Sequence, residues 1–162
     1  MQIAVISDTH LPRGARRLPD ACVERLKGAD LILHAGDLMT LAVLRELESL
    51  GPVVGVHGNV DDAEVRAALP PSASIEAAGA TIALIHDAGP ARGRLARMRR
   101  RFPEADAVVF GHSHIPLLEG TSDGFQIFNP GSPTERRRSP SHTMGMARVE
   151  EGRVSFELIV LG

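Results

Sequence analysis

Five short segments of the sequence carry side chains of the kind that hold divalent metals: Asp8-Thr9-His10, Gly36-Asp37, Gly58-Asn59, His86 and Gly111-His112-Ser113-His114. Carboxylate, amide oxygen and imidazole donors without a thiolate suit Mn²⁺, Fe²⁺, Zn²⁺ or Ni²⁺. Asp8-x-His10 and His112-x-His114 place donors two residues apart. On an extended segment such pairs share one side, so each pair can serve one site. The glycines before Asp37, Asn59 and His112 allow sharp turns and close approach of the backbone. Singly, each segment is a weak signal, because strand-end histidines are often merely exposed and Asp and Asn favour turns. In combination they are specific, since all five follow short apolar runs.

Those runs are what must position the donors. Gln2–Ile6, Leu31–Leu33 and Val53–Val56 read as buried strands. Thr9–Pro19, with two prolines and a glycine, reads as a loop. Asp20 is expected to cap a helix that ends near Gly28. Thr40 is expected to cap another, with Leu41, Leu44 and Leu47 on one face and Gly51-Pro52 at its end. This alternation implies βαβ units with parallel pairing.

In the second half, Ser74–Ala77 and Thr81–Ile85 flank Ala78-Gly79-Ala80 as a hairpin. Arg92–Arg101 reads as a basic helix and Ala107–Phe110 as a strand. After it come Ile115–Glu119, Phe125–Phe128, Thr143–Val149 and Val154–Val160, all strand-like, with turns at Ser122-Asp123-Gly124 and Glu150-Glu151-Gly152. The expectation is one α/β domain over residues 1–162, with two packed mixed sheets, the later one largely antiparallel, flanked by helices. In open α/β sheets, sites form beyond the carboxyl ends of the strands, so donors distant in sequence can converge there.

Composition narrows the function class. The chain has 162 residues, 43% of them hydrophobic but only 3% aromatic, so its core must rest on Val, Ile, Leu and Ala. A net charge of −2 gives no bulk attraction to nucleic acid or membrane. Lys27 is the only lysine, and the surplus of arginine reads as compositional bias. Cys22 stands alone, which excludes an internal disulfide and a Cys-based zinc site and suits a reducing compartment. The first ten residues read as a strand rather than a signal peptide, and Val154–Leu161 is too short to span a bilayer. A cytoplasmic protein without a membrane partner is expected.

In order, Asp8-x-His10, Gly36-Asp37, Gly58-Asn59, His86 and Gly111-His112-x-His114 resemble the signature of the calcineurin-like metallophosphoesterases. The short length, Gly58-Asn59-Val60-Asp61 and Asn129-Pro130-Gly131-Ser132 resemble the small phosphodiesterases of the YfcE type within that family. The resemblance implies a four-layer αββα sandwich holding two divalent ions, Mn²⁺ foremost, with Zn²⁺, Fe²⁺ or Ni²⁺ as alternatives. It implies Asp8, His10 and His114 around one ion, Asn59, His86 and His112 around the other, and Asp37 shared. A hydroxide held between two such ions would attack phosphorus in line, and the ions would offset the charge of the transition state. In that scheme Asp37, Asn59 and His112 are the catalytic residues, and the substrate is a small phosphodiester or nucleotide-like molecule. A nuclease or nucleotide phosphoesterase is the alternative within the same chemistry. The chain also resembles the retromer subunit of this fold, which serves mainly as a binding surface. Here all of the expected donor positions are filled, which favours catalysis over a scaffold. Small members often self-associate, so a homo-oligomer is an open alternative.

The sequence departs from the family pattern in two places. Val60 stands where many members have a histidine that helps protonate the leaving group, which predicts a preference for good leaving groups. Asp87 stands where glycine is common, and it reads as a solvated loop residue. Asp61 could orient a site neighbour or cap the turn at Asp62-Ala63-Glu64. His34 reads as a hydrogen-bonded core or supporting histidine; His57 and His142 carry no motif. Asn129-Pro130-Gly131-Ser132 reads as a structural turn. Arg92, Arg94, Arg97, Arg99, Arg100 and Arg101, and separately Arg136, Arg137 and Arg138, read as solvated basic faces. No aromatics interleave with them, so nucleic acid is not a favoured partner.

Overall fold

The apolar runs form strands close to where their patterning places them. The computed structural model describes residues 1–14 and 16–162; within the expected Thr9–Pro19 loop, Ala15 lies outside the described residues. The elements run β1 (Gln2–Ile6), α1 (Asp20–Gly28), β2 (Leu31–His34), α2 (Leu41–Leu50), β3 (Val53–Gly55), α3 (Ala63–Ala68), β4 (Ser72–Ala77), β5 (Ala80–Ile85), α4 (Arg94–Arg101), β6 (Ala107–Val109), β7 (Leu117–Gly120), β8 (Gln126–Asn129), β9 (Thr143–Glu150) and β10 (Arg153–Val160). Among the described residues, no helix is long and apolar enough to cross a membrane.

The strands form two five-stranded sheets, ordered β10-β9-β1-β2-β3 and β4-β5-β6-β8-β7. Parallel pairs join β1 to β2 and β2 to β3 in the first sheet, and β5 to β6 and β6 to β8 in the second. The later sheet, expected from its hairpin-like sequence to be largely antiparallel, is instead mixed, with β4-β5 and β7-β8 antiparallel and β5-β6 and β6-β8 parallel. The last hairpin, β9-β10, returns to the first sheet and pairs antiparallel with β1. Local patterning specifies a hairpin but not which sheet edge it joins.

Three apolar clusters account for four layers. Val5 and Leu33 of the first sheet meet Ile82, Leu84, Val109 and Phe128 of the second between the sheets. Ile6 and Ile32 face Leu26 of α1, Leu44 and Leu47 of α2 and Val65 of α3 on the outer face of the first sheet. Val108 and Ile127 face Met98 of α4 on the outer face of the second. Truncating a fully buried member such as Leu47 to alanine would cost about 2–5 kcal/mol.

Two expected helix caps are corrected. Asp20 is the first helical residue rather than the cap, which is Pro19, and its carboxylate takes a bond from Arg17 instead. Thr40 occupies the cap position of α2, but its hydroxyl makes no capping bond. At α3 it is Asp62 whose side chain caps, accepting from the Val65 N–H at 3.0 Å.

Candidate metal centre

Parallel pairing decides where the donors meet. β1, β2 and β3 all end at one edge of the first sheet, and β5, β6 and β8 end at the matching edge of the second. Asp8, His10, Asp37, Asn59, His86, His112 and His114 leave these ends and fill one cleft. Asp8, His10 and His114 offer donor atoms within 4.8 Å of one another, and so do Asp37, His86 and His112. Asn59 Oδ1 joins the second group, 3.0 Å from His86 Nε2 and 3.1 Å from His112 Nδ1. Asp37 Oδ2 lies between the groups, 3.3 Å from His10 Nε2 and 3.1 Å from His86 Nε2.

The imidazoles are oriented from behind. His86 Nδ1 donates to the Ala35 carbonyl at 2.8 Å, His10 Nδ1 faces the Glu135 carboxylate at 2.9 Å, and His114 Nδ1 donates to the Glu135 carbonyl. Each of these three rings therefore turns Nε2 into the cleft. There the nitrogens meet carboxylate oxygens: His114 Nε2 lies 3.4 Å from Asp8 Oδ1. His10 Nε2 and His114 Nε2 are buried and have no hydrogen-bond partner among the described residues. Lone pairs aimed at lone pairs are repulsive unless a cation lies between them. Both groups combine hard oxygen and imidazole donors that fit divalent ions, and the orphaned nitrogens both lie in the Asp8/His10/His114 group.

Protonation follows the same geometry. Burial raises Asp8 to about 6, against the opposing pull of His86 and the Ser7 hydroxyl. Burial alone would raise Asp37 too, but the close imidazoles of His10 and His86, the charge of His86 and the bond from the Val60 N–H outweigh it and hold that carboxyl well below the usual range. Burial would lower His86, yet its bond to Asp37 and the charges of Asp8 and Asp37 raise it. Burial lowers His114 to about 4, which keeps it neutral with its Nε2 lone pair free.

The backbone achieves this convergence in an unforeseen way. Asp8 (φ 57°), His10 (47°), Asp37 (62°), His112 (72°) and His114 (61°) all adopt left-handed conformations, so Asp8-x-His10 and His112-x-His114 are not extended pairs. Non-glycine residues resist this region by about 1–2 kcal/mol each, a strain that the surrounding bonds must hold. Of the three preceding glycines only Gly36 has a positive φ, 97°. Gly58 is needed for space, because a Cβ there would lie 2.1 Å from Asp37 Oδ1.

Supporting residues complete the cleft. Asp61, 5% exposed, accepts from the backbone N–H of Asp37 (3.0 Å), Gly58 (2.6 Å) and Met39 (2.7 Å), so it orients the site, while its neighbour Asp62 does the capping. His34 is fully buried; its Nδ1 accepts from the Gly36 N–H and its Nε2 faces Thr9 Oγ1, and burial lowers it to about 3. Asn129 forms a turn by accepting from the Gly131 N–H and anchors Gly111 through its amide, consistent with a structural role. Asp87 accepts from the Gly89 N–H, and its carboxylate stays 3.9 Å from His112 Nε2, beyond hydrogen-bond reach. Arg94 and Arg97 bond the carbonyls of Ala88, Gly89 and Pro90, and Arg99 pairs with Asp123, so half of the basic helix serves the chain itself. Glu135 escaped sequence reading, because its segment looks like a turn before an arginine run. The only available signal was its place just beyond β8, a sixth strand ending at the same edge.

A family model described as the calcineurin-like phosphoesterase superfamily domain matches residues 1–152. A Methanothermobacter thermautotrophicus protein named as a probable metallophosphoesterase is 37% identical over 164 residues, covering 100% of this chain and 94% of its own. A Thermotoga maritima protein solved by NMR is 30% identical, with a TM-score of 0.76 and 98% of each chain covered. Vps29 of Entamoeba histolytica, solved in complex with zinc, is 22% identical with a TM-score of 0.78 over 100% of both chains, a likeness of fold alone.

Proposed function

Since this chain belongs to the calcineurin-like phosphoesterase superfamily, we propose that it is a metal-dependent phosphodiesterase acting on small phosphodiesters or nucleotide-like molecules. The observation that carries this reading is the pair of donor groups sharing Asp37 Oδ2. Asp8, His10 and His114 would hold one divalent ion, and Asn59, His86 and His112 a second, with Asp37 common to both. Mn²⁺ is the leading candidate, with Zn²⁺, Fe²⁺ and Ni²⁺ as alternatives. Such ions supply Lewis acidity, which lowers the pKa of a water and offsets negative charge growing at phosphorus.

The residues of the chain do the rest. Asp37 stays ionised and keeps the two groups together. Asp8 and His10 are buried, whereas Asn59 and His112 are exposed, so the phosphoryl group enters on the Asn59 and His112 side. Val60, 40% exposed at that side, offers no proton to the leaving group. The leaving group must therefore be stable as an anion or take its proton from water, which favours aryl diesters.

Bis-p-nitrophenyl phosphate and p-nitrophenyl phosphate, compared on the Mn²⁺-supplied protein, test this. Diester turnover should exceed monoester turnover, and Asp37→Asn should abolish it and lower metal content. Full activity of Asp37→Asn refutes the sharing role. Bound metal without turnover of any ester would favour use of the fold as a binding surface, and size-resolved products from DNA, RNA and cyclic nucleotides would separate the nuclease alternative.

A further inference from the structure

We infer that Glu135 is a positioning residue that fixes both imidazoles of the Asp8/His10/His114 group and makes that half of the centre the tighter metal subsite. The inference rests on reading these side chains as a metal centre. Glu135 touches the group three ways. Its carboxylate Oε2 lies 2.9 Å from His10 Nδ1, a close ionic contact off the line of a hydrogen bond, and its backbone carbonyl accepts from His114 Nδ1. Its N–H donates to Ser132 Oγ at 2.8 Å, and that hydroxyl donates to the Asp8 carbonyl, also at 2.8 Å. One residue beyond β8 therefore braces all three donors of the group.

The brace is charged and held. Arg13 and Arg16 lie 3.3 and 3.5 Å from the Glu135 carboxylate, whose side chain is only 20% exposed. A carboxylate behind an Nδ1–H fixes the tautomer and increases the basicity of the Nε2 that faces the metal. The other half has no such partner. Behind His86 stands the neutral carbonyl of Ala35, and the carboxylate facing His112, that of Asp87, is 3.9 Å away. Asn59 is neutral and exposed, leaving the shared Asp37 as the only carboxylate donor there among the described residues. Arg13 and Arg16 offset the charge of Glu135 itself, so the tighter cation binding at this half comes from its second carboxylate donor, Asp8, and from the orientation that Glu135 imposes on the two imidazoles.

Calorimetric titration of the chelator-stripped protein with Mn²⁺ tests this. The wild type should bind in two classes of unlike affinity. Glu135→Gln keeps the shape and an acceptor oxygen but removes the charge. It should weaken the tight class by about 10–100-fold and leave the other within about twofold. In the Zn²⁺-supplied protein, the downfield NMR signal of the His10 Nδ1 proton should move upfield in Glu135→Gln while that of His86 stays, a change that simple loss of stability would not produce. Unchanged affinities in Glu135→Gln, or equal weakening of both classes with both proton signals moving, overturn the inference. A wild type that binds no divalent ion overturns the metal-centre reading itself.

Discussion

Removing the Asp61 carboxylate should cost more than most substitutions outside the hydrophobic core. Its Oδ2 accepts from the N–H groups of Asp37 and Gly58 at 3.0 and 2.6 Å, and its Oδ1 accepts from the Met39 N–H at 2.7 Å. The first two donors are buried, so in Asp61→Ala neither has an obvious substitute acceptor. A hydrogen bond to a charged group contributes about 1.5–3 kcal/mol, which puts the two buried bonds near 3–6 kcal/mol together. The partly buried Met39 N–H can turn to water and adds little. Against a typical domain stability of about 5–15 kcal/mol, that is a large fraction. Asp61→Asn retains one acceptor oxygen but points an NH₂ at a donor, so it should cost about 1–3 kcal/mol. Urea unfolding of the chelated proteins measures this without the stabilisation that bound metal would add. The expected order is wild type, Asp61→Asn, Asp61→Ala, with metal content falling in the same order as Asp37 loses its backbone anchor. An Asp61→Ala protein within about 1 kcal/mol of wild type would refute the reasoning, because the lost bonds alone exceed that.

Other expectations test neighbouring links. Gly58→Ala places a Cβ 2.1 Å from Asp37 Oδ1; by pushing the shared carboxylate aside it should weaken metal binding by about 10–100-fold, read by equilibrium dialysis. Val60→His restores an acid near the leaving group; it should raise turnover of alkyl diesters at least about tenfold more than that of bis-p-nitrophenyl phosphate, and an equal gain on both would count against the missing-acid account. In the metal-free protein Asp8 is protonated below about 6, and His86 holds its proton above the usual histidine range because Asp37 and Asp8 outweigh its burial. Metal must displace those protons, so affinity should fall as pH drops through about 6, by one to two decades per pH unit, and level off at higher pH. Titrations in buffers of different ionisation enthalpy should show proton release at pH 6, and a pH-independent affinity would contradict the assignment.

The donor types and the strand ends that carry them were legible from sequence. Metal preference is a property of the side chain itself, and a short apolar run bounded by loop residues specifies a strand through local patterning. Gln2–Ile6, Leu31–Leu33 and the paired arms around Ala78-Gly79 needed no distant contact to be read. What the tertiary structure decided depends on partners far apart in the chain. β9 and β10 joined the first sheet by pairing with β1, a choice that hairpin patterning does not encode. Asp61 gained its role from N–H groups up to 24 residues away, and Glu135 from His10 and Asp8, which lie at the opposite end of the chain. Left-handed backbone at five donor residues could not be foreseen, because Asp and His tolerate that region better than most non-glycine residues but do not specify it, and the surrounding bonds decide. The residues of the candidate centre are written locally; their convergence and the groups that hold them in place come from long-range contacts that local propensity does not record.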